Sequence, residues 1–229
     1  MAPVLPLSAP ESVDPSLLLD PPRAATGSIL DQHEVAPPIY VTHESTITGA
    51  TAEVLWQTYY TNFHPLADLA ILQHCYTREE VLGELANPLI TKIVGWQDGI
   101  PVGLAMVTNS LDDVPQISPQ FLRSSYPTHA ANNTIYFGIL VMVVPGRRGM
   151  TLFSRLSLEL WQIPATAGGI LVYDICDFNR ITFEADTLSQ RLADNFPDSS
   201  VKVIDRQTWY VAELPKPIPE APRRPESLA

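Results

Sequence analysis

The chain has 229 residues, 45% of them hydrophobic and 17% charged, so it can bury a substantial core and is not a wholly disordered protein. Its net charge of -11 and its isoelectric point near 4.7 disfavour broad binding to nucleic acid or to anionic membranes, because both require a basic surface. No apolar run approaches the roughly 18 residues that span a bilayer, and the N-terminus lacks the basic start of a secretory signal. We therefore expect a cytoplasmic protein with no membrane segment and no nucleic-acid partner.

Proline is concentrated at both ends and predicts three parts: an arm at 1-38, a body at 39-214 and a tail at 215-229. Proline fixes φ and removes a backbone donor, so both ends should be extended. Such segments are commonly flexible linkers. The apolar run Ser16–Asp20 (SLLLD) gives the first arm an anchor, which would suit docking on a protein partner or on a second copy of the chain.

Within the body, hydrophobic periodicity, capping residues and turn residues predict the elements. The first part of the body should contain an edge strand at Ile39–Ser45, a helix at Ala50–Phe63 with Thr51 as N-cap, and a helix opened by the Thr77–Glu80 capping box. A hairpin of Ile90–Trp96 and Pro101–Val107, joined at Asp98-Gly99, should follow, and then a loop at 109–132 with a helical turn at Pro119–Ser124. The remaining elements are a buried strand at Thr134–Val144, a helix at Thr151–Gln162, a buried strand at Gly169–Cys176, a helix at Arg180–Asn195, and strands at Val201–Ile204 and Trp209–Leu214. This order predicts a mixed α/β sheet with crossover helices.

A Gly/Arg-rich turn separates the Thr134–Val144 strand from the helix that follows. The stretch Val143–Thr151 (VVPGRRGMT) would bring backbone N–H groups, a helix N-terminus and the side chains of Arg147 and Arg148 around one small space. That arrangement binds phosphate. The spacing alone fits equally well a simple turn with solvated arginines, so both interpretations stay open at this point.

The same turn resembles the cofactor loop of the GNAT acetyltransferases. In that family the fourth strand runs into a V-x-P-x-x-R-G-x-G-x-G/A stretch that holds the pyrophosphate of acetyl-CoA, and this chain has Val143, Pro145, Arg148 and Gly149 in the corresponding places. The predicted order of elements from residue 39 to 214 also follows the order of the family. The resemblance implies a GNAT-like mixed, mostly antiparallel sheet with splayed central strands, flanked by helices and extended by the proline-rich arms.

The resemblance also implies a function and a site. Acetyl-CoA would be the co-substrate, and its acetyl group would pass to an amine that the sequence does not identify. The pyrophosphate would be held by the arginines and amides of the loop, the pantetheine arm would pair with strand backbone as an added strand does, and an asparagine would steady that arm. The implied cofactor-binding residues are Val141, Val143, Arg147, Arg148, Gly149, Met150, Thr151 and Asn179.

Some positions depart from the pattern of the family. Thr151 and Phe153 stand where the family has glycines, which let backbone approach a phosphate. The position of the family's frequent tyrosine acid falls on Asp186 or on Arg191, depending on the residue from which it is counted. No catalytic residue is therefore assigned. The alternative is a non-catalytic GNAT-fold assembly protein, for example a phage protein associated with the virion, whose arms bind neighbouring subunits. A member of the fold that modifies nucleic acid would need a local basic patch in the 109–132 loop.

Other candidates carry weaker signals. Tyr136 and Tyr173 lie on the two strands that would splay, so either hydroxyl is a candidate to face the acyl group, although tyrosines are more often ordinary core or surface residues. Asp174 and Asp177 are candidates to bind a cationic amine. Neither a CxxC nor an HxxxH spacing occurs, so no metal site is expected. The two cysteines, Cys75 and Cys176, form either one disulfide or, as a reducing compartment favours, two buried thiols.

Overall fold

The computed structural model describes residues 38–71, 75–146 and 149–213. The two proline-rich ends therefore lie outside the described residues apart from Pro38, and the predicted three-part division of the chain stays a prediction. None of the described helices is long and apolar enough to cross a membrane.

Five strands within the described residues form one sheet in the order β1-β2-β3-β4-β5. Their bounds are Tyr40–Glu44 (β1), Ile90–Gln97 (β2), Ile100–Thr108 (β3), Ile135–Val143 (β4) and Ile170–Val172 (β5). The first three pairings are antiparallel, and β4 and β5 are parallel. The structure confirms the predicted α/β class, with a mostly antiparallel sheet flanked by helices.

Helices cover both faces of this sheet. Their bounds in the described part of the chain are Gly49–Phe63 (α1), Leu66–Leu69 (α2), Arg78–Ala86 (α3), Pro119–Ser125 (α4), Pro127–Ala131 (α5), Gly149–Thr166 (α6), Asp177–Thr182 (α7) and Ala185–Ala193 (α8). The 109–132 segment also contains a 3₁₀ turn at Leu111–Asp113. This segment was expected to be a polar loop with one helical turn. Its few apolar side chains, including Leu111 and Leu122, instead pack on Ile135 and Phe137 in a small core.

Local signals account for the first half of the body. Both central residues of the β2–β3 turn have positive φ, 53° at Asp98 and 74° at Gly99, which matches the twist of a two-residue hairpin. The capping box is present: the Thr77 hydroxyl accepts from the Glu80 N–H, and the Glu80 carboxylate accepts from the Thr77 N–H. The prediction of Thr51 as the N-cap of α1 is wrong, because Gly49 has a φ of 65° and turns the chain into the helix earlier.

The core on one face joins α1 and α3 to the sheet, and α6 covers the other face. Two glycines in the sheet make room for α6. A Cβ atom on Gly95 would lie 2.8 Å from Leu152 Cδ1, and one on Gly103 would lie 2.8 Å from Leu156 Cδ1. Both distances are shorter than real carbon contacts, so these leucines sit close to the sheet because it lacks side chains there.

The second half of the body departs from its prediction in several places. The strand expected at Gly169–Cys176 is only Ile170–Val172, because the chain then turns into α7. The helix expected at Arg180–Asn195 is divided where Glu184 adopts a φ of 47°. A left-handed residue interrupts helical hydrogen bonding, so α7 and α8 are separate.

The strands expected at Val201–Ile204 and Trp209–Leu214 are absent from the described residues, which here run to 213. A strand requires a neighbour for its backbone groups, and no described strand lies beside this segment. Thr134–Val144 is a strand as predicted, but its second half is not fully buried, because β5 does not accompany it.

Candidate cofactor cleft between β4 and β5

The two parallel strands separate after a short pairing. Residues 135–137 of β4 pair with 170–172 of β5. Beyond that point β4 continues to Val143, still paired with β3 on its other edge, whereas the chain after β5 turns into α7. The edge of β4 from Gly138 to Val143 therefore borders an opening, because β5 does not continue alongside it.

Backbone hydrogen bonds show which groups of β4 face this opening. The Val144 N–H donates to the Val102 carbonyl of β3 at 2.9 Å. Since successive residues of a strand direct their N–H and C=O groups to opposite edges, those of Val143 and Val141 are directed towards the opening. These are the two strand residues that the resemblance implied for pairing with pantetheine.

A β-bulge precedes them. Gly138 lies opposite Val107 and Leu140 lies opposite Met106, so Ile139 is an extra residue in β4. Upstream of the bulge the even-numbered Thr134 accepts from the Ile170 N–H of β5 at 3.0 Å. Downstream of it the odd-numbered residues face the same edge, and Ile139 packs on the α1 side of the sheet.

Asn62 of α1 occupies one of the groups at this edge. Its Nδ2 donates to the Val143 carbonyl at 3.2 Å and to the Thr58 carbonyl of its own helix at 2.8 Å. The side chain thus fixes the end of β4 to α1. Nothing in the sequence pattern pointed to Asn62, because its partner is 81 residues away.

Helix α6 begins against the same end of β4. The Gly149 N–H donates to the Gly146 carbonyl at 3.0 Å, and a Cβ on Gly149 would lie 3.4 Å from Val143 Cγ2. Met150 and Thr151 are both exposed. The Gly149 N–H is therefore already used, and because the first N–H groups of a helix have no intrahelical partner, the amides that follow it in the first turn of α6 are the donors beside the edge of β4. Arg147 and Arg148 lie outside the described residues.

Thr151 and Phe153, which stand where the resemblance implies glycines, lie in different surroundings on α6. Thr151 borders an open groove together with Ile39 and Arg155, and the Arg155 guanidinium donates to the Ile39 carbonyl at 2.9 Å. Phe153 is half-buried on α6. Neither residue supplies the conformational freedom of glycine, but the hydroxyl of Thr151 is exposed at the start of the helix.

On the far side of the opening, Asn179 lies in the first turn of α7 and is half-buried. Its proposed contact with a pantetheine arm stays a prediction. Asp177, one of the candidates for binding an amine, accepts from Arg180 Nε at 2.8 Å, and Arg180 Nη1 donates to Asp186 at 3.1 Å. The charge of Asp177 is thus already matched within α7 and α8.

Both candidate tyrosines lie on the α6 face of the sheet. Tyr136 packs against the core under α6. The ring of Tyr173 lies 6.2 Å from that of Trp161, and its hydroxyl hydrogen-bonds Ser189 of α8. Burial raises the pKa of Tyr173. Its hydroxyl is therefore engaged between helices, and a role at the acyl group is not supported for it.

The opposite face carries a cluster of polar groups beside the bulge. Tyr76, Glu84 and Gln116 line, with Ile139, a cavity that has room for about one water molecule. The Gln116 amide donates to the Tyr76 hydroxyl. Burial is the largest cause that raises the pKa of Tyr76 to about 12, and it also raises the pKa of the Glu84 carboxyl.

Asp174 follows β5 on this side. Asp174 is exposed at the surface, but partial desolvation of its carboxyl raises the pKa of that group, and its negative charge contributes to the raised pKa of Tyr76. Asp174 and Glu84 thus both have carboxyl groups with a raised pKa, and such a carboxylate is a stronger base than an ordinary one.

No metal site is formed by three or more His, Cys, Asp or Glu side chains within the described residues. Cys75 and Cys176 are both free and half-buried, so the alternative of a disulfide is wrong.

Comparison with known proteins gives similarities of fold only. No family model and no curated protein matches the chain. Among solved structures, an aminoglycoside N-acetyltransferase, AAC(6')-Iy in complex with CoA, has a TM-score of 0.45 and 12% identity, over 76% of this chain and 97% of that one. A protein from Desulfovibrio desulfuricans assigned to the GNAT family of acetyltransferases has a TM-score of 0.44 and 14% identity, over 67% of this chain and 83% of that one. An acetyltransferase from Trypanosoma brucei has a TM-score of 0.41 and 14% identity, over 76% of this chain and 100% of that one. Similarities this low do not assign the chain to a family.

Proposed function

We propose that this chain is a GNAT-like acyl-CoA-binding protein that transfers an acetyl group from acetyl-CoA to an amine. The observation that carries the proposal is the separation of β4 from β5, which leaves the outward backbone groups of Val141 and Val143 beside the first turn of α6. One edge thus offers hydrogen bonds to an extended chain and, at its end, donors to an anion.

The parts of acetyl-CoA match these two features. The pantetheine arm is linear and carries two amides, so it would lie along β4 as an added strand and exchange hydrogen bonds with Val141. Asn62 already donates to the Val143 carbonyl and uses one of its two acceptor sites, so the Val143 N–H would be the main group at that residue for the ligand. The pyrophosphate would lie at the first turn of α6, with Arg147 and Arg148 as the predicted counter-charges.

The transfer step requires a neutral amine next to the thioester. The amine nitrogen would bond to the acetyl carbon, the carbon–sulfur bond would break, and CoA would leave as a thiolate that takes up a proton. Asp174 is our candidate to accept the proton lost by the amine. Alignment of the amine supplies much of the rate in such a reaction.

Isothermal titration calorimetry with acetyl-CoA tests the binding half of the proposal. We expect the wild type to bind and Arg148→Ala to weaken binding by about tenfold or more, as loss of a charge-assisted hydrogen bond implies. Arg206→Ala, which changes an exposed arginine outside the cleft, is the matched control. Absence of heat with the wild type, or equal affinity in the Arg148 variant, would remove the basis of the proposal.

A thiol-release assay with a panel of primary amines tests the transfer half. Asp174→Asn should lower turnover while leaving the affinity for acetyl-CoA unchanged, and Asp198→Asn, at an exposed turn, should change neither. Binding without release of thiol for any amine would leave a binding protein and contradict the transferase.

A further inference from the structure

A small polar cavity lies where the 109–132 segment meets α3 and β4. It has room for about one water molecule. Its polar lining includes Tyr76, Glu84, Asp113 and Gln116. Its apolar lining includes Ile139, the bulge residue after which the edge of β4 borders the cleft. The cavity therefore adjoins the cleft on the α1 face of the sheet.

Gln116 brings an unused hydrogen-bond acceptor to this lining. Its Nε2 donates to the Tyr76 hydroxyl, which holds the amide in place. Its Oε1 is fully buried and accepts no hydrogen bond from any described residue. Burial removes this oxygen from water, so leaving it without a donor is unfavourable. A ligand that donates a hydrogen bond to Oε1 would remove that penalty.

The charges around the cavity are mainly negative. Glu84 and Asp113 both line it, and the carboxylate of Glu80 also acts on Glu84. Lys92 is the cation that acts on Glu84, but its Nζ donates to two backbone carbonyls, and within the described residues no ion pair joins it to Glu84. Burial still raises the pKa of the Glu84 carboxyl, so Lys92 does not fully compensate its charge. A further cation would be stabilised here.

A primary ammonium group matches these features. It carries a positive charge and three N–H donors, enough for the Gln116 oxygen and the carboxylates of Glu84 and Asp113. An ammonium group is close in size to a water molecule, so the cavity can hold it. A water molecule would also fit, but it brings fewer donors and no charge. Asp113 is exposed, so the cavity reaches the surface at that residue.

We propose that this cavity binds one terminal ammonium group of a diamine or polyamine, with Glu84, Asp113 and Gln116 as its hydrogen-bond acceptors. The other end of the molecule lies in the adjoining cleft. The charge of Asp174 acts on the Tyr76 hydroxyl, so the candidate proton acceptor is within electrostatic reach of the cavity. The inference rests on the proposed function only for the fate of the second amine, which would receive the acetyl group.

Calorimetric titration of the full chain with putrescine, without acetyl-CoA and at physiological salt, tests the cavity directly. The comparison ligand is the analogue of putrescine in which both ammonium groups are trimethylated. It has the same charge but no N–H donor and larger ends, so we expect it to bind at least about tenfold more weakly. General attraction of cations to an acidic protein would not separate the two ligands.

Variants locate the site. Glu84→Gln should weaken putrescine binding at least about tenfold, and Gln116→Met should weaken it about three- to tenfold, since each loses an acceptor for the ammonium group. Glu79→Gln removes the same charge from the same helix, at a side chain that is 80% exposed, and should bind as the wild type does. The comparison of the two ligands needs no variant, so it decides the question even if a variant fails to fold.

The thiol-release assay tests the second amine. Butylamine has only one amine, which the cavity would hold, so its kcat/KM should be at least about tenfold lower than that of putrescine. Equal values for the two amines would contradict the need for a second amine.

Three binding results would overturn the ammonium site. The first is no binding of putrescine, in which case the cavity holds only water. The second is equal affinity for putrescine and its trimethylated analogue. The third is a Glu84→Gln variant that binds as the wild type does, or no more weakly than Glu79→Gln. Putrescine binding without thiol release contradicts the transferase and retains the site, whereas thiol release with other amines and no putrescine binding does the reverse.

Discussion

The lowered pKa of Lys92 gives a direct test of how burial affects the stability of this fold as the pH changes. This residue lies on β2 with its side chain fully buried on the α1 face. Its Nζ donates to the Ser45 carbonyl at 2.9 Å and to the Asn87 carbonyl. Burial lowers the pKa of Lys92 from 10.5 to about 8, and the negative charge of Glu84 opposes this shift without cancelling it. The amine is thus less basic in the folded protein than in the unfolded chain.

The sign of the pH dependence follows from proton counting. Between about pH 8 and 10.5 the unfolded chain binds more protons at this lysine than the folded protein, so the free energy of unfolding rises with pH. For a shift of this size the rise between about pH 7 and pH 9.5 is about 2 kcal/mol. Tyr59 and Tyr76 act oppositely above about pH 10, because burial raises their pKa values to about 12 and the folded state then keeps protons that the unfolded chain loses.

Urea unfolding at a series of pH values measures this profile. The wild type should gain stability up to about pH 10 and lose it beyond. Lys92→Met should abolish the gain, and Lys202→Met, which removes an exposed amine, should retain it. A flat wild-type profile below pH 10 would refute the reasoning even if the Met variant failed to fold, and so would a Lys92→Met profile that rises like the wild type.

Two further variants test packing and the cleft. Gly103→Ala should lower the free energy of unfolding by about 1–3 kcal/mol, because the new methyl group meets Leu156. Gly83→Ala, with open space on helix α3, should raise it by about 0.5–1 kcal/mol. If urea unfolding shows that both variants shift stability in the same direction, the packing argument is contradicted. Asn62→Leu should weaken acetyl-CoA binding in calorimetry by about five- to tenfold because the end of β4 is then no longer fixed to α1, and Thr61→Ala, which loses only a bond within its own helix, should bind as the wild type does. Equal affinities in these two variants would show that the asparagine has no part in the cleft.

The sequence was most informative where a short pattern decides the structure. The capping box at Thr77 and the Asp98-Gly99 hairpin act over a few residues, and the structure contains both as predicted. The strand that ends at Val143 and the helix that follows it were likewise visible, because a long apolar run and leucines at steps of four are local signals.

The sequence was least informative where distant segments must meet. β-rich residues near Trp209 predicted a strand, but a strand forms only with a neighbour, and the composition does not say whether one is present. The bulge at Ile139 was hidden because nearly every residue of β4 is apolar, so no alternation marks the faces. Asn62 was missed for the same kind of reason, since its contact joins the end of α1 to the end of β4.

Helix α6 packs closely on the sheet at Gly95 and Gly103, and this close packing affects any ligand that binds at the first turn of the helix. Leu152, which packs on the sheet where Gly95 lacks a side chain, is itself in that turn. The N–H donors of the helix are therefore positioned by the same contacts that form the core. Such a turn cannot shift towards a ligand without unpacking leucines from the sheet. Recognition at this end of the cleft would then proceed with little loss of conformational entropy, and larger side chains introduced at Gly95 should weaken binding at a distance while leaving every ligand contact chemically intact.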